Sequence, residues 1–215
     1  ASFPLHGTDA QSLLRQADAA MYAAKRGNSG FAVFDPRRDE RGDAQLSLLG
    51  ELRRALDNQE LRLAYQPKVD IASGQVQGAE CLLRWMHPER GMIAPLHFIP
   101  FAEQTGFIRN ITEWVIEQAV AQCGAWQAAG RSLKLAVNIS APDLLSSRLP
   151  QLVSEALSRH KVPADRLIME ITESSIMQEP ARAIELLREL NALGVSLSID
   201  DFGTGYSSLA YLKQL

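Results

Sequence analysis

The chain has 215 residues, 46% of them hydrophobic and 22% charged, and a net charge of −3 from 22 basic and 25 acidic side chains. This is a globular composition with room for one large domain or two small ones, and it lacks the strongly basic balance that a long nucleic-acid partner demands. Two cysteines without CxxC spacing, Cys81 and Cys123, argue against structural zinc or a disulfide framework. The absence of a basic-then-apolar leader or a bilayer-length apolar run leads us to expect a soluble, cytoplasmic segment without membrane contact of its own, whose parent protein could still be tethered elsewhere.

Residues 9–26 read as an amphipathic helix, with Asp9 as N-cap, Leu13, Leu14, Ala17, Ala20, Met21 and Ala24 at helical spacing, and Gly27-Asn28 as a stop. A β-prone run follows at Gly30–Phe34. The charged stretch from Asp35 to Asp43, with Pro36 and Gly42, reads as a linker or the start of a surface helix and marks a boundary. Beyond it the pattern predicts a helix at about 45–58, then strands Leu61–Val69 and Gln75–Trp85 around Ala72-Ser73-Gly74. Helices at 110–129, 149–160 and 180–193 then alternate with strands Leu133–Ile139, Leu167–Thr172 and Val195–Ile199. Such alternation means a parallel sheet, open or closed.

The strands carry polar residues of one kind. Glu80 lies in the second, Asn138 near the end of the third and Glu170 in the fourth, and the last runs into Asp200-Asp201. Strand C-termini of a parallel sheet gather at one face, where active sites sit. Alternate residues share a side, so Glu80, Leu82 and Arg84 point together, as do Ala136 and Asn138, Ile168 and Glu170, and Ser196, Ser198 and Asp200. Asp201 turns the other way on an ideal strand but lies where the strand ends. Hard oxygen donors with one amide suit Mg²⁺ or Mn²⁺, and adjacent aspartates let one carboxylate bridge two ions. Singly, each residue has a plainer role: Asp200 as a cap or turn former, Asn138 making a turn before Ser140, Glu173 capping a helix that begins near Ser174. Likewise His6, His87, His97 and His160 form no ligand pattern, and Trp114 and Trp126 fall on a helix among core positions.

Glu80-Cys81-Leu82-Leu83-Arg84-Trp85 resembles the signature of EAL domains, with Cys in place of Ala. His87-Pro88, Gly91, Pro95, Phe98-Ile99-Pro100, Ala102-Glu103 and Gly106 continue it. Asn138-Ile139-Ser140, Glu170-Ile171-Thr172-Glu173 and Asp200 through Ser208 resemble the later motifs, in order. The resemblance covers about residues 46–215. It implies a modified TIM (β/α) barrel and metal-dependent hydrolysis of cyclic di-GMP to linear pGpG in bacterial signalling. The alternative is a catalytically inactive EAL domain that acts as a cyclic di-GMP receptor or regulatory module.

The resemblance also implies roles. Glu80, Asn138, Glu170, Asp200 and Asp201 would ligate Mg²⁺ or Mn²⁺, as two ions, with Glu80, Asp200, Asp201 and Glu173 as the catalytic set. Glu173 would brace the loop Phe202–Ser208, whose Gly203 and Gly205 allow the freedom of a lid or make a tight turn. Arg84 would hold a substrate phosphate, with Gln66 on the ligand and Leu82 packing nearby. A homodimer through the EAL domain is a further expectation. Cys81 departs from the family motif, but it faces away from Glu80, so little effect on the metal is expected. Further barrel strands are expected beyond Leu215, supplying a lysine, a glutamate and a glutamine, so the expected chain is an incomplete barrel and an incomplete catalyst. Phe3-Pro4, Asp9-Ala10, Leu13-Leu14, Ala17-Asp18, Ala20-Met21-Tyr22, Ala24-Lys25 and Gly27-Asn28 resemble the end of a GGDEF domain. The expected organisation is thus a short α/β GGDEF remnant at 1–34, a linker at 35–44 and an EAL domain from 45 to 215.

Overall fold

The computed structural model describes residues 1–26, 30–35 and 48–201, in a chain that divides into two compact units, 1–54 and 55–215. The linker stretch beyond Asp35, the Gly27-Asn28 stop and the Phe202–Ser208 loop lie outside the described residues.

In the first unit, helix α1 spans Ala10–Arg26. Asp9 caps it as expected: its Oδ1 accepts from Ser12 N at 2.8 Å, satisfying one of the amides a helix N-terminus leaves free. Gly30–Phe34 does not form a strand, which corrects the reading of that run. Its β-prone composition finds no partner strand among the described residues, and extended chain becomes a strand only by pairing. Phe34 is buried instead, edge-on to the His6 ring at 5.4 Å. Helix α2 occupies 48–57.

The second unit is organised by a sheet with strand order β1-β2-β4-β5-β6, and β3 pairs with β2. The strands are β1 (Leu61–Val69), β2 (Val76–His87), β3 (Gly91–Ile93), β4 (Lys134–Ile139), β5 (Leu167–Thr172) and β6 (Ser196–Asp200). From β2 through β6 the pairing along the main path is parallel, whereas β1 is antiparallel to β2. The antiparallel start has a local cause. Asp70 Oδ1 accepts from Ser73 N at 2.8 Å and Gly74 adopts a φ of 68°, so the chain reverses at once. The short β3 escaped the sequence reading. It forms because Gly91 (φ 69°) and the buried His87 ring, whose Nδ1 accepts from Glu89 N and Arg90 N, fold a second hairpin.

Helices α3 (Ile99–Thr105), α4 (Ile108–Ala128), α5 (Leu149–His160), α6 (Glu173–Gln178) and α7 (Pro180–Ala192) connect the strands. Pro150 and Pro180 sit in first turns, where a missing N–H costs nothing. Gly194, at φ 90°, follows α7. The sheet's outer side is the core. Cys81, Leu83 and Trp85 of β2, Leu135, Val137 and Ile139 of β4, and Leu167, Met169 and Ile171 of β5 are all buried. α4 packs on β4 and α7 on β6, while α5 contacts both helices. Among the described residues no helix is long and apolar enough to cross a membrane.

Candidate functional site

Register puts the polar residues on the other side of this sheet. Gln66 is the Cα partner of Glu80, Glu80 of Ala136, Asn138 of Glu170, Glu170 of Ser198, and Thr172 of Asp200. Cross-strand partners share a face, so Gln66, Lys68, Glu80, Leu82, Arg84, Asn138, Glu170 and Asp200 line one surface, as period-2 spacing requires.

That surface is concave. Lys68 Nζ donates to Glu170 Oε1. On a flat sheet the two residues would stand three strand spacings apart, about 14 Å, and four residues apart along the strands, about 13 Å, a separation two side chains do not span. The sheet therefore curls toward its polar side.

Glu170 is 6% exposed, and its second oxygen, Oε2, is buried without a hydrogen-bond partner. An orphaned buried carboxylate oxygen is costly and calls for a cation or donor. Beside it, Glu80 Oε1 accepts from Asn138 Nδ2 at 3.0 Å. Asp200, exposed at the end of β6, accepts from Asp201 N at 3.0 Å, and Asp201 leaves the strand with a φ of 54°. Glu80, Asn138, Glu170 and Asp200 thus share one face, with Asn138 and Glu170 level with each other near the strand ends and Asp200 at the C-terminal edge. They do not close into a tight cage: among the described residues no three carboxylate, imidazole or thiol groups come close enough to hold one ion.

The supports of these residues are visible too. Asp143, 3% exposed, accepts from Thr112 Oγ1 at 2.7 Å and Ser140 N at 3.2 Å, pinning the turn after Asn138 to α4. Gly78 lets β2 approach β4 closely, two residues before Glu80. A Cβ there would lie 2.5 Å from Lys134 O. Glu173 is buried in the first turn of α6, but the cap of that helix is Thr172, whose Oγ1 accepts from Ser175 N. This corrects the capping role considered for Glu173. Cys81 lies buried on the outer side, where burial, with Cys123, Glu170 and Glu80 nearby, pushes its thiol up to about 12. Arg84 donates to Leu83 O at 2.8 Å and is the Cα partner of Arg62. Sequence reasoning passed over Asp143, Lys68 and Arg62. The period-2 count from Gln66 would have found the last two. Nothing local marks Asp143, because its partners come from a distant helix.

A curled, mostly parallel α/β sheet, helices on its outer side and acidic and amide groups on its inner side, defines a TIM-like barrel domain with its chemistry inside the curve. The EAL domain model matches residues 49–215, and the chain belongs to the EAL family. It is 44% identical over 217 residues to the bifunctional diguanylate cyclase/cyclic di-GMP phosphodiesterase MucR of Pseudomonas aeruginosa, covering 100% of this chain and 32% of that protein. It is 40% identical over 212 residues to the cyclic di-GMP phosphodiesterase PdeR of Escherichia coli, covering 98% of this chain and 32% of that one. The solved structure "PaMucR Phosphodiesterase, c-di-GMP complex" superposes with a TM-score of 0.75 at 46% identity, over 79% of this chain and 69% of that one. The chain thus spans about a third of the length of these curated relatives.

Proposed function

We propose that the protein carrying this chain hydrolyses cyclic di-GMP to linear pGpG with Mg²⁺ or Mn²⁺ at the concave face. The observation that carries the reading is the buried, partnerless Oε2 of Glu170, next to the Glu80–Asn138 pair on a face of hard oxygen donors. These groups fit a small divalent cation. Glu80, Asn138, Glu170, Asp200 and Asp201 are its proposed ligands, some of them moving inward to close the site. Held there, one or two such ions would supply an activated water and offset charge on the phosphodiester. Arg84 binds and orients a phosphate at the upper end of β2, about 13 Å along the strand from Glu80. Gln66 contacts the ligand on the same face, and Leu82 packs beside it. Glu173 braces the chain that follows Asp201.

Relatives named for cyclic di-GMP phosphodiesterase activity support this substrate. The MucR match covers the whole chain, including the residues before 49, and that relative is named as a diguanylate cyclase as well. This supports reading 1–34 as the end of a GGDEF domain and 35–44 as a linker to the EAL portion. A cytoplasmic location and a homodimer through the EAL portion complete the proposal. The test is chromatographic detection of pGpG from cyclic di-GMP with the full-length protein in Mg²⁺ or Mn²⁺, alongside Glu80→Ala. Wild-type turnover and a variant that loses both turnover and Mn²⁺ affinity are expected. Nucleotide binding without turnover by the wild type would favour a receptor instead.

A further inference from the structure

Lys68 belongs to no motif used above, yet among the described residues it makes an ion pair across the concave face. Its Nζ donates to Oε1 of Glu170, the most buried carboxylate on that face, while its own side chain is 44% exposed. Glu80, by contrast, is engaged by the neutral Asn138 amide. A buried carboxylate needs a counter-charge, because desolvation penalises its ionised form. Lys68 supplies one from the far side of the curl, on a flexible four-carbon stem that can withdraw into solvent.

This arrangement has a consequence for any second cation. A divalent ion bound to Oε2 would sit a few ångströms from the Lys68 ammonium, and like charges at that range repel strongly where water is scarce. The two cations cannot both draw full benefit from one carboxylate. We propose that Lys68 is a built-in counter-ion of Glu170 that competes with the divalent metal, so that it stabilises the protein before metal binds and lowers metal affinity. The inference rests on the metal reading of the concave face. It makes Lys68 a positioning residue that tunes the site through Glu170, with the ammonium swinging outward when metal takes the carboxylate. The device offsets repulsion among the carboxylates of the face while metal is scarce.

The experiment is Mn²⁺ titration of the full-length protein after removal of metal, with free Mn²⁺ followed by its paramagnetic resonance signal. Lys68→Met removes the charge and keeps the stem. We expect its Mn²⁺ dissociation constant to fall about fivefold, equivalent to about 1 kcal/mol, and its melting temperature without metal to fall as well. Lys68→Arg keeps the charge and should stay within about twofold of wild type. A third measurement needs no variant: amine acetylation of the wild type, read by mass spectrometry with Lys134 and Lys161 as references. Mn²⁺ should raise labelling at Lys68 relative to both. Unchanged or weaker Mn²⁺ binding by Lys68→Met, or labelling of Lys68 that stays level or drops with Mn²⁺, overturns the competition. A wild type that binds no Mn²⁺ at all overturns the metal reading and this inference together.

Discussion

Replacing Gly78 with alanine tests whether the spacing between β2 and β4 is what brings Glu80 to Asn138. The added Cβ would meet the Lys134 carbonyl oxygen at 2.5 Å and its carbonyl carbon at 3.3 Å. Ordinary contact begins near 3.4 Å, so the strands must part by 3.4 − 2.5 = 0.9 Å or twist locally. The obstacle is backbone, which cannot swing aside as a side chain would, and Gly78 itself is held in a ladder on both sides, to Lys134 and to Lys68. Overpacking of this kind costs about 1–3 kcal/mol. The gain from restricting the unfolded chain, about 0.4–1 kcal/mol for Gly→Ala, is smaller, so the net effect is destabilising. Urea unfolding should give a loss of about 1–2 kcal/mol, with Mn²⁺ affinity falling too because Glu80 lies two residues on. Gly50 is the control of opposite sign. It lies in α2 with nothing within 4 Å of its ideal Cβ, so Gly50→Ala should stabilise by about 0.5–1 kcal/mol. A Gly78→Ala protein as stable as wild type would refute the argument that close approach governs this strand pair.

Three further outcomes follow from other parts of the structure. Arg84→Ala should weaken cyclic di-GMP binding in calorimetry by about tenfold to a hundredfold, the weight of a charge-assisted contact, while Mn²⁺ affinity holds. Since burial pushes Cys81 up to about 12, its thiol should resist iodoacetamide at pH 8 in the folded protein and react once urea unfolds it. For Glu117, burial alone would raise the carboxyl, but hydrogen bonds from His160 at 2.8 Å and Arg159 at 2.7 Å prevail and hold it below its ordinary value. A lowered folded-state pKa gives stability that is present above the unfolded value of about 4.3 and lost as pH falls through the folded one. Arg159 is largely exposed and Glu117 and His160 partly so, so solvent screens the contacts; Glu117→Gln should cost under about 1 kcal/mol at pH 6, and urea titrations should show that difference shrinking toward pH 3.

Much of the inner face is legible in the sequence because a strand has an integer period. Once Leu167–Thr172 is recognised, Glu170 must point away from Met169 and Ile171, whichever strands flank it. The later helices are legible for a similar reason: α5 and α7 open on proline, and Gly194 follows the second. Features set by chain-distant contacts were not legible. β3 depends on a histidine ring satisfying two amides. The fate of Gly30–Phe34 depends on whether another strand lies beside it. Asp143 acquires its importance from Thr112, thirty-one residues away on α4.

The two faces of the sheet divide the work, and that division explains why both kinds of reading meet at the same residues. On β2, β4 and β5 the outward positions are buried aliphatic, aromatic or thiol groups, and they bind the sheet to its helices. Removing one is a stability event. The inward positions contribute little apolar burial and hold opposed charges: Glu80, Glu170 and Asp200 against Lys68, Arg62 and Arg84. An acidic face alone would repel the phosphates of a nucleotide, and a basic one alone would repel a metal. Interspersing the signs suits the face to the metal and nucleotide proposed for it, with the arginines paired across β1 and β2 and the carboxylates across the middle strands. Glu170 is where the compromise is tightest, since its buried carboxylate has one oxygen neutralised from within the chain and the other unclaimed. A residue in that state is poor for stability by itself, which is the physical ground for the proposal that a metal binds there.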